Sequence, residues 1–217
     1  NNLRKLSSGE RITRAADDAA GLAISEKLKS QIRSIRQAKR NADDGISLIQ
    51  TAEGGLTEIS NIIVRLRELS VQSASDTIGD TERSFSDIEF QQLKDEIQRI
   101  SMSSEFNGRK LLDGSGGLME IQIGYNNDAF SDRLRFDGTG TMSTLESLGL
   151  GVETVSSKEG AQMALSKLDD ALVQDNGSGA NLGVLQNRLQ SVIQNLGVTE
   201  ENFSEANSRI RDVDVAA

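Results

Sequence analysis

Apolar residues recur every seven positions along the first third of the chain. The repeat consists of Leu28, Ile35, Ala42, Ile49, Leu56 and Ile63. The neighbouring apolar positions drift along the way, as expected when a helix of 3.6 residues per turn carries a repeat close to 3.5. Because the chain contains no proline to interrupt it, we predict one helix from about residue 17 to about residue 75. At ~1.5 Å per residue this helix would be roughly 85 Å long, which is typical of a rod.

A shorter apolar stripe predicts a second helix. Its members follow 3-4-3 spacing and give the helix one buried face: Phe90, Leu93, Ile97 and Ile100. Ser86 and Glu89 form a Ser-x-x-Glu pattern, which predicts a capping box at the start of this helix. We expect the helix to end near Glu105, before a turn at Asn107-Gly108.

The third helix has the longest stripe. Ser156 and Glu159 provide a second candidate capping box, and the apolar positions that follow are spaced mainly by three and four residues. Those positions include Ala161, Leu165, Leu168, Leu172, Leu182, Leu185, Leu189, Val192, Leu196, Phe203, Ala206, Ile210 and Val213. The two glycines within residues 175–180 favour a kink or a break, since glycine costs about 1 kcal/mol relative to alanine inside a helix.

Between the second and third helices the spacing of apolar residues changes from every three or four positions, as in a helix, to every second position, as in a strand. Alternating apolar residues predict one face of a strand at Met119, Ile121, Ile123 and Tyr125. Residues 126–131 are polar enough to form a loop, and residues 133–136 are the predicted return strand. The stretch 137–155 is rich in Gly, Ser and Thr, and no pattern in it predicts an element.

The three helical stripes most simply pack on one another, because each alone would expose apolar surface to water at roughly 25 cal/mol per Å². The sequence therefore predicts a mainly α fold: an elongated antiparallel bundle of long helices, a coiled-coil-like rod, with a β-hairpin and a small β-rich region in the middle. We expect a single rod domain over residues 1–217, formed by both halves of the chain. Its parts would be N-terminal helices (1–105), a β-hairpin and irregular region (106–157) and a C-terminal helix (158–217).

The composition narrows the classes of function. The 217 residues include no His, Cys or Trp, so the usual neutral-pH base, the thiol nucleophile and most transition-metal ligands are missing. We therefore expect no enzyme, no metal and no cofactor. The net charge of −9 disfavours non-specific binding to nucleic acid. No apolar run approaches the ~20 residues of a membrane helix, so we expect no membrane partner.

Three blocks of sequence together resemble bacterial flagellin. They are Ile-Val-Arg-Leu-Arg-Glu-Leu-Ser-Val-Gln (63–72), Asn-Ala-Asp-Asp-Gly-Ile-Ser (41–47) and Glu-Phe-Asn-Gly-Arg-Lys-Leu-Leu (105–112). The order of the predicted elements fits the same family, and the resemblance covers nearly the whole chain. Without it, the charges of the first block would be interpreted as a solvated helix face.

The resemblance implies a structural subunit of the bacterial flagellar filament. Its main partners would be other flagellin subunits in a homopolymer that serves motility. The protein would be secreted without a cleaved signal peptide and would lie outside the cell. In the family, the surface that contains the first block is also recognised by the animal Toll-like receptor for flagellin, an innate immune receptor.

Carried over residue by residue, the resemblance implies a surface used both for receptor binding and for contact between subunits. Arg65 and Leu69 would be central to it, with Leu69 as an exposed anchor ringed by polar groups. Either Asp95 or Glu96 would supply the acidic contact. The full set is Arg65, Arg67, Glu68, Leu69, Gln72, Asp95, Glu96 and Arg99.

The block Leu6-Ser-Ser-Gly-Glu-Arg-Ile12 and the following Ala15–Ala23 stretch also match the family. The resemblance places Asp17, Asp18 and Gly21 where the family links its terminal coiled coil to the rod and contacts neighbouring subunits. A local interpretation exists as well. Ser7 with Glu10 would form a capping box, and an aspartate would stabilise the positive end of the long helix.

Two features of the family are expected to be absent. The paired terminal segments lie outside this sequence, and the C-terminal one carries the site for an export chaperone. Only about 20 residues separate Phe136 from Lys158, so we expect little or no outer variable domain.

Other classes of protein were weighed against flagellin. The hook–filament junction protein shares its organisation, but the intact 65–72 block favours flagellin. A binding module for a host receptor or a chaperone would coexist with assembly, and a catalytic insert is disfavoured because the middle is short and lacks His-Glu-x-x-His. Asn126, Asn127, Asp128 and Asp132 lack calcium-loop spacing and are expected to be turn residues.

Overall fold

The computed structural model of the chain describes Ile12 and residues 18–212, so the expected Ser7–Glu10 box lies outside the described residues. The helices are α1 (Ala19–Ser73), α2 (Asp80–Ser103) and α3 (Lys158–Arg211). The strands are β1 (Glu105–Phe106), β2 (Arg109–Lys110), β3 (Leu118–Gln122) and β4 (Arg133–Asp137). The predicted mainly α fold with a small β region in its middle is confirmed. None of the described helices is long and apolar enough to span a membrane.

The connection between α1 and α2 is built around a buried arginine. Arg83, 7% exposed, donates hydrogen bonds to the carbonyl oxygens of Ser73 and Ser75, both at 2.9 Å. These are backbone acceptors at and just beyond the end of α1. Its guanidinium also pairs with Asp80 at 2.8 Å. A side chain at the start of α2 therefore supplies hydrogen-bond donors to backbone carbonyl groups at the end of α1.

The predicted capping box at Ser86 and Glu89 is wrong, because both residues lie inside α2. The helix begins at Asp80, and its N-cap Gly79 forms no side-chain cap hydrogen bond. A glycine cap gives no Ser-x-x-Glu signal, which explains why the sequence pattern selected a later start.

Helix α3 starts close to its predicted position and continues without a break. The backbone N–H of Gly160 donates to Ser157 Oγ at 3.1 Å, so Ser157 is the cap instead of Ser156. The helix runs for 54 residues, straight through the segment expected to kink or break it. In that segment Asp175 and Ser178 are buried, at 2% and 6% exposure, and lie in heptad register between Ala171 and Leu182. Packing of this stripe offsets the cost of the glycines.

Two β-hairpins form, one around the predicted Asn107-Gly108 turn and the other around the predicted loop at residues 126–131. β1 and β2 are antiparallel, with Phe106 opposite Arg109, and Asn107 and Gly108 between them have φ angles of 50° and 76°. Two consecutive positive φ angles match the twist of a two-residue hairpin, which is why Asn-Gly occurs there. β3 and β4 form a second two-stranded sheet.

The stretch that no pattern assigned is held by a polar face of α2. Lys94 donates to the carbonyl oxygens of Gly151 at 3.0 Å and Glu153 at 2.8 Å. Asp87 accepts the backbone N–H of Val155 at 2.8 Å. Loss of hydration lowers the pKa of Lys94, whose side chain is nearly enclosed. Side-chain hydrogen bonds to its backbone therefore order the segment together with the buried Leu148, Leu150 and Val155, whose spacing forms no helical or strand period.

The chain forms two compact units, each combining segments from both of its halves. Unit 1 comprises Asn1–Gly45, Ile121–Leu134 and Arg188–Ala217, and unit 2 comprises Ile46–Glu120 and Arg135–Asn187. The single rod domain stays a prediction.

Each unit has its own hydrophobic centre. In unit 1 the ring of Tyr125 meets the ring of Phe203 edge-on, with centroids 6.1 Å apart. The largest fully buried side chains of unit 2 are at most 2% exposed: Phe90, Phe136, Ile49, Ile59, Ile63, Leu66, Leu69, Ile97, Leu111 and Leu112.

Candidate interaction surface

The end of α1 separates polar from apolar side chains by helical period. Leu66 and Leu69 face the core, with exposures of 0% and 2%. Ile63 and Ser70 are buried as well. The remaining positions of the block are exposed, and four of them belong to the expected site: Arg65, Arg67, Glu68 and Gln72. We call these four, together with Asp95, Glu96 and Arg99 of α2, the charged surface.

Arg65 joins two helices. Its Nη1 lies 2.8 Å from Glu68 Oε2 one turn along α1, and its Nη2 lies 2.9 Å from Glu89 Oε1 on α2. The hydrogen bond to Glu68, then that to Glu89, raises the pKa of Arg65. Half of the side chain remains exposed, which leaves it accessible to a partner.

Arg67 extends towards α3, the other helix beside α1. Its Nε lies 2.7 Å from Asp169 Oδ1 on α3, and this hydrogen bond raises the pKa of Arg67 and lowers that of Asp169. The two arginines of the block therefore extend to either side of α1, one towards α2 and the other towards α3.

The expectation that Leu69 is an exposed anchor is wrong for this fold. Its side chain is 2% exposed and belongs to the core of unit 2. The reason is the register of α1: Leu69 continues the series Ile59, Ile63 and Leu66, all of which are fully buried. Leu69 supports the charged surface from beneath instead of forming part of it.

On α2, the three expected residues form a group of their own. Arg99 makes a two-pronged pair with Glu96, at 2.7 and 2.6 Å, which lowers the pKa of Glu96. Asp95 is exposed beside them. They follow Glu89 by six to ten residues, or about 9–15 Å along a helix. Of the two candidate acidic residues, Asp95 and Glu96, Glu96 is the one that pairs with an arginine.

Two acidic residues of the network were missed from sequence: Glu89 and Asp169. A signal for Glu89 existed, because α1 and α2 form an antiparallel hairpin whose connection is centred near residue 77. Positions 65 and 89 are equally distant from that centre. No comparable local signal places Asp169 beside Arg67, since 102 residues separate them.

At the start of α1 the local interpretation is supported. Asp18 Oδ1 accepts the backbone N–H of Gly21 at 2.9 Å, as an N-cap does. Gly21 is buried, and any side chain there would meet Asp18 Oδ2 at 2.5 Å and Ile12 Cδ1 at 2.8 Å. Asp17 lies outside the described residues. Asp18 itself is exposed.

The hairpin loop uses its acidic groups for turns. Asp128 Oδ1 accepts the backbone N–H groups of Phe130 at 3.0 Å and Ser131 at 2.7 Å, and these bonds, with that of the Ser131 hydroxyl, lower the pKa of Asp128. Within Ile12 and residues 18–212, the structure brings together no group of three or more acidic, His or Cys side chains that is able to hold a metal ion.

Comparison with known protein families matches both ends of the chain. The family described as the bacterial flagellin N-terminal helical region matches residues 1–116, and the bacterial flagellin C-terminal helical region matches residues 165–217. A flagellin from Halalkalibacterium halodurans is 45% identical over 99% of this chain and 78% of its own length.

Solved structures agree with the fold. The flagellin of Bacillus cereus superposes with a TM-score of 0.64 at 33% identity, covering 72% of this chain and 88% of its own. A protein of Vibrio parahaemolyticus described as flagellar hook-associated reaches a TM-score of 0.74 over 90% of this chain and 100% of its own. At 14% identity the latter likeness concerns the fold alone.

Proposed function

The chain belongs to the bacterial flagellin family and is a structural subunit of the flagellar filament, and from that premise we propose that its charged surface contacts neighbouring subunits and the animal Toll-like receptor for flagellin. The observation that supports this proposal most is the position of Arg65. One exposed guanidinium connects carboxylates on two helices, at 2.8 and 2.9 Å, above a buried leucine. Such a rigidly supported, solvent-facing arginine is typical of residues that concentrate binding energy at protein interfaces.

The ion pairs of the charged surface are weak enough for the carboxylates of a binding partner to replace them. Ion pairs exposed to water contribute little to folding, because solvent and salt screen them. Arg65, Arg67 and Arg99 therefore have pairs in the free chain that a partner's carboxylates are able to replace at small cost. The core residues beneath keep the helices in place while these pairs are exchanged.

The carried-over role of Arg65 leads to a direct prediction. We expect Arg65→Ala to raise the concentration for half-maximal receptor activation by about tenfold or more. The thermal unfolding midpoint should remain nearly unchanged, because only exposed pairs are lost. The measurement is a dose–response curve in reporter cells that express the receptor, together with circular dichroism melting.

Arg135→Ala is the matched control for that experiment. Arg135 is also exposed and also pairs with a glutamate, Glu120, at 2.9 Å, but lies outside the charged surface. Equal potency of the Arg65→Ala variant and the wild type would contradict the receptor assignment and leave the filament role standing.

Assembly itself is tested by seeded growth. We expect the protein, with its natural flanking sequence, to extend short filament seeds into long filaments visible by electron microscopy. Growth that stops after a short cap would instead indicate a hook–filament junction role. The structural likeness to a hook-associated protein makes this comparison necessary, because both classes share the fold.

Several finer points accompany the proposal. Glu96 is proposed as the acidic contact on α2, since it is the residue that pairs with Arg99. Residues 138–157 are proposed as the outer segment between the second hairpin and α3, in place of a large variable domain. Export to the cell exterior, the export chaperone and the contact of Asp17, Asp18 and Gly21 with neighbouring subunits stay predictions from the resemblance.

A further inference from the structure

Unit 1 carries a concentration of positive charge on α1. Residues 27–40 contain six of the 24 basic residues of the chain and no acidic residue, although the whole chain has a net charge of −9. Four of the six lie on one face of the helix, because their spacing is 4-3-4. We call these four the basic stripe: Lys29, Arg33, Arg36 and Arg40.

A stripe of opposite charge with the same spacing lies on α3 of unit 1. Glu201, Glu205, Ser208 and Asp212 also follow 4-3-4 spacing, and we call them the acidic stripe. Both stripes extend over twelve residues, or about 16 Å of helix from the first position to the last. The two stripes therefore match in length and in the spacing of their positions. The third position of the acidic stripe is a serine, so three of its four positions carry a negative charge.

The charges of both stripes are only partly neutralised within the chain. Arg36 and Lys39 share one carboxylate, Glu200, at 2.7 and 3.4 Å. Glu205 pairs with Arg209 on its own helix at 2.6 Å. Arg33 and Glu201 are exposed.

Space for a partner's side chains exists beside each stripe. A groove of about 490 Å³ follows the acidic stripe and is lined by Gly197, Glu200, Glu201, Ser204, Glu205 and Ser208. A second groove, of about 330 Å³, follows the basic stripe along Lys29 and Arg33 and is also lined by Glu26, which pairs with Lys29 at 3.6 Å. Glycine and serine beside the glutamates leave room for long lysine and arginine side chains.

We propose that the basic stripe of one copy of this chain docks on the acidic stripe of another copy, so that α1 of one subunit lies along α3 of the next. The inference rests on the filament role, which supplies the second copy, and deepens it by naming two surfaces. Because the stripes are different patches, a copy bound through one stripe still presents its other stripe. Such a head-to-tail contact forms open chains instead of closed pairs. The attraction orients subunits and speeds their association, and it weakens as salt rises.

Charge reversal with mixing tests the proposal. One variant carries Arg33→Glu and Arg40→Glu, and the other carries Glu201→Lys and Glu205→Lys. Each variant alone should extend wild-type seeds at least tenfold more slowly than the wild type. An equimolar mixture should recover most of the rate, since the altered stripes are complementary. Wild-type growth should slow severalfold between 50 and 500 mM salt.

A double variant with the same change of net charge as the basic-stripe variant provides the control. Lys27→Glu with Lys167→Glu replaces two exposed lysines outside the basic stripe and should grow like the wild type. Normal growth of the two stripe variants, or no recovery on mixing, would overturn the proposal while the filament role stands.

Failure of the wild type to extend seeds would count against the filament role instead. Sedimentation velocity at 50 mM salt then tests the contact between the two stripes independently of filament growth. Concentration-dependent association that each variant abolishes and the mixture restores supports them. Association that ends at a dimer, or monomers at every concentration, overturns the head-to-tail contact.

Discussion

Replacing Leu69 by alanine is expected to lower the free energy of unfolding by about 3 kcal/mol, within the range of about 2–5 kcal/mol for a buried leucine. The side chain is 2% exposed and packs in the core of unit 2, so its removal leaves a cavity that the three helices fill only in part. For a chain of this size, the thermal midpoint should fall by roughly 6–12 °C. The measurement is urea or thermal unfolding followed by circular dichroism.

Two controls separate packing from other effects. Leu69→Met conserves volume and should cost less than about 1.5 kcal/mol. Val71→Ala, two residues away and 52% exposed, should change stability by no more than about 0.5 kcal/mol. An unchanged midpoint for Leu69→Ala would show that the residue is not part of the core. Reduced receptor potency with an unchanged midpoint would restore its assignment as an exposed anchor.

The long helices were predictable because their burial repeats. Ile35, Ala42, Ile49 and Ile63 all lie at 0% exposure, and seven-residue spacing brings them to one face of α1. The hairpin at Asn107-Gly108 was predictable for a different reason, since positive φ angles restrict the residue types that fit.

The parts that sequence did not predict depend on contacts between distant residues. Residues 143–155 carry no period, because α2 holds their backbone through side chains such as Lys94 and Asp87. The start of α2 was misplaced because its cap, Gly79, carries no motif. The start of α3 was predicted, but its cap is Ser157, next to the expected Ser156.

In the candidate site, too, some features follow from periodicity and others depend on contacts between distant residues. The solvent-facing charges at 65, 67, 68 and 72 follow from periodicity, once the core positions of α1 are known. The burial of Leu69 follows from the same periodicity, and the error arose because the resemblance was applied to that residue without regard to its register. Asp169 lies far away in sequence, so its pairing with Arg67 depends on the packing of α1 against α3.

Asp175 is expected to oppose folding at neutral pH, and Asp175→Asn should therefore stabilise the protein. The residue is 2% exposed, at a position of the α3 stripe otherwise filled by Leu168, Ala171 and Leu182. Loss of hydration raises its pKa to about 6, and the Ser143 hydroxyl, 3.5 Å away, offsets this only weakly. Glu53 on α1 lines the same groove.

The sign of the pH dependence follows from that direction. A carboxyl group whose pKa is higher in the folded chain binds its proton more tightly there than in the unfolded chain. Its favourable contribution is complete below about pH 4 and is lost as the pH rises through about 6. We therefore expect Asp175→Asn to gain about 2 kcal/mol over the wild type at pH 7.5, and the difference to vanish near pH 4.

The comparison between variants is the informative quantity, because other carboxylates act in the opposite direction. Asp76, Asp169 and Glu200 have pKa values lowered by basic partners, so the stability they contribute falls on acidification in both proteins. Urea unfolding at pH 7.5, 6, 5 and 4 measures the difference directly. Asp170→Asn, an exposed carboxylate on the same helix, is the control and should change stability little across this range. A gain for Asp175→Asn that stayed constant from pH 7.5 to 4 would mean that the amide stabilises through packing or hydrogen bonding, and that burial of the charged carboxylate does not limit the stability of this core.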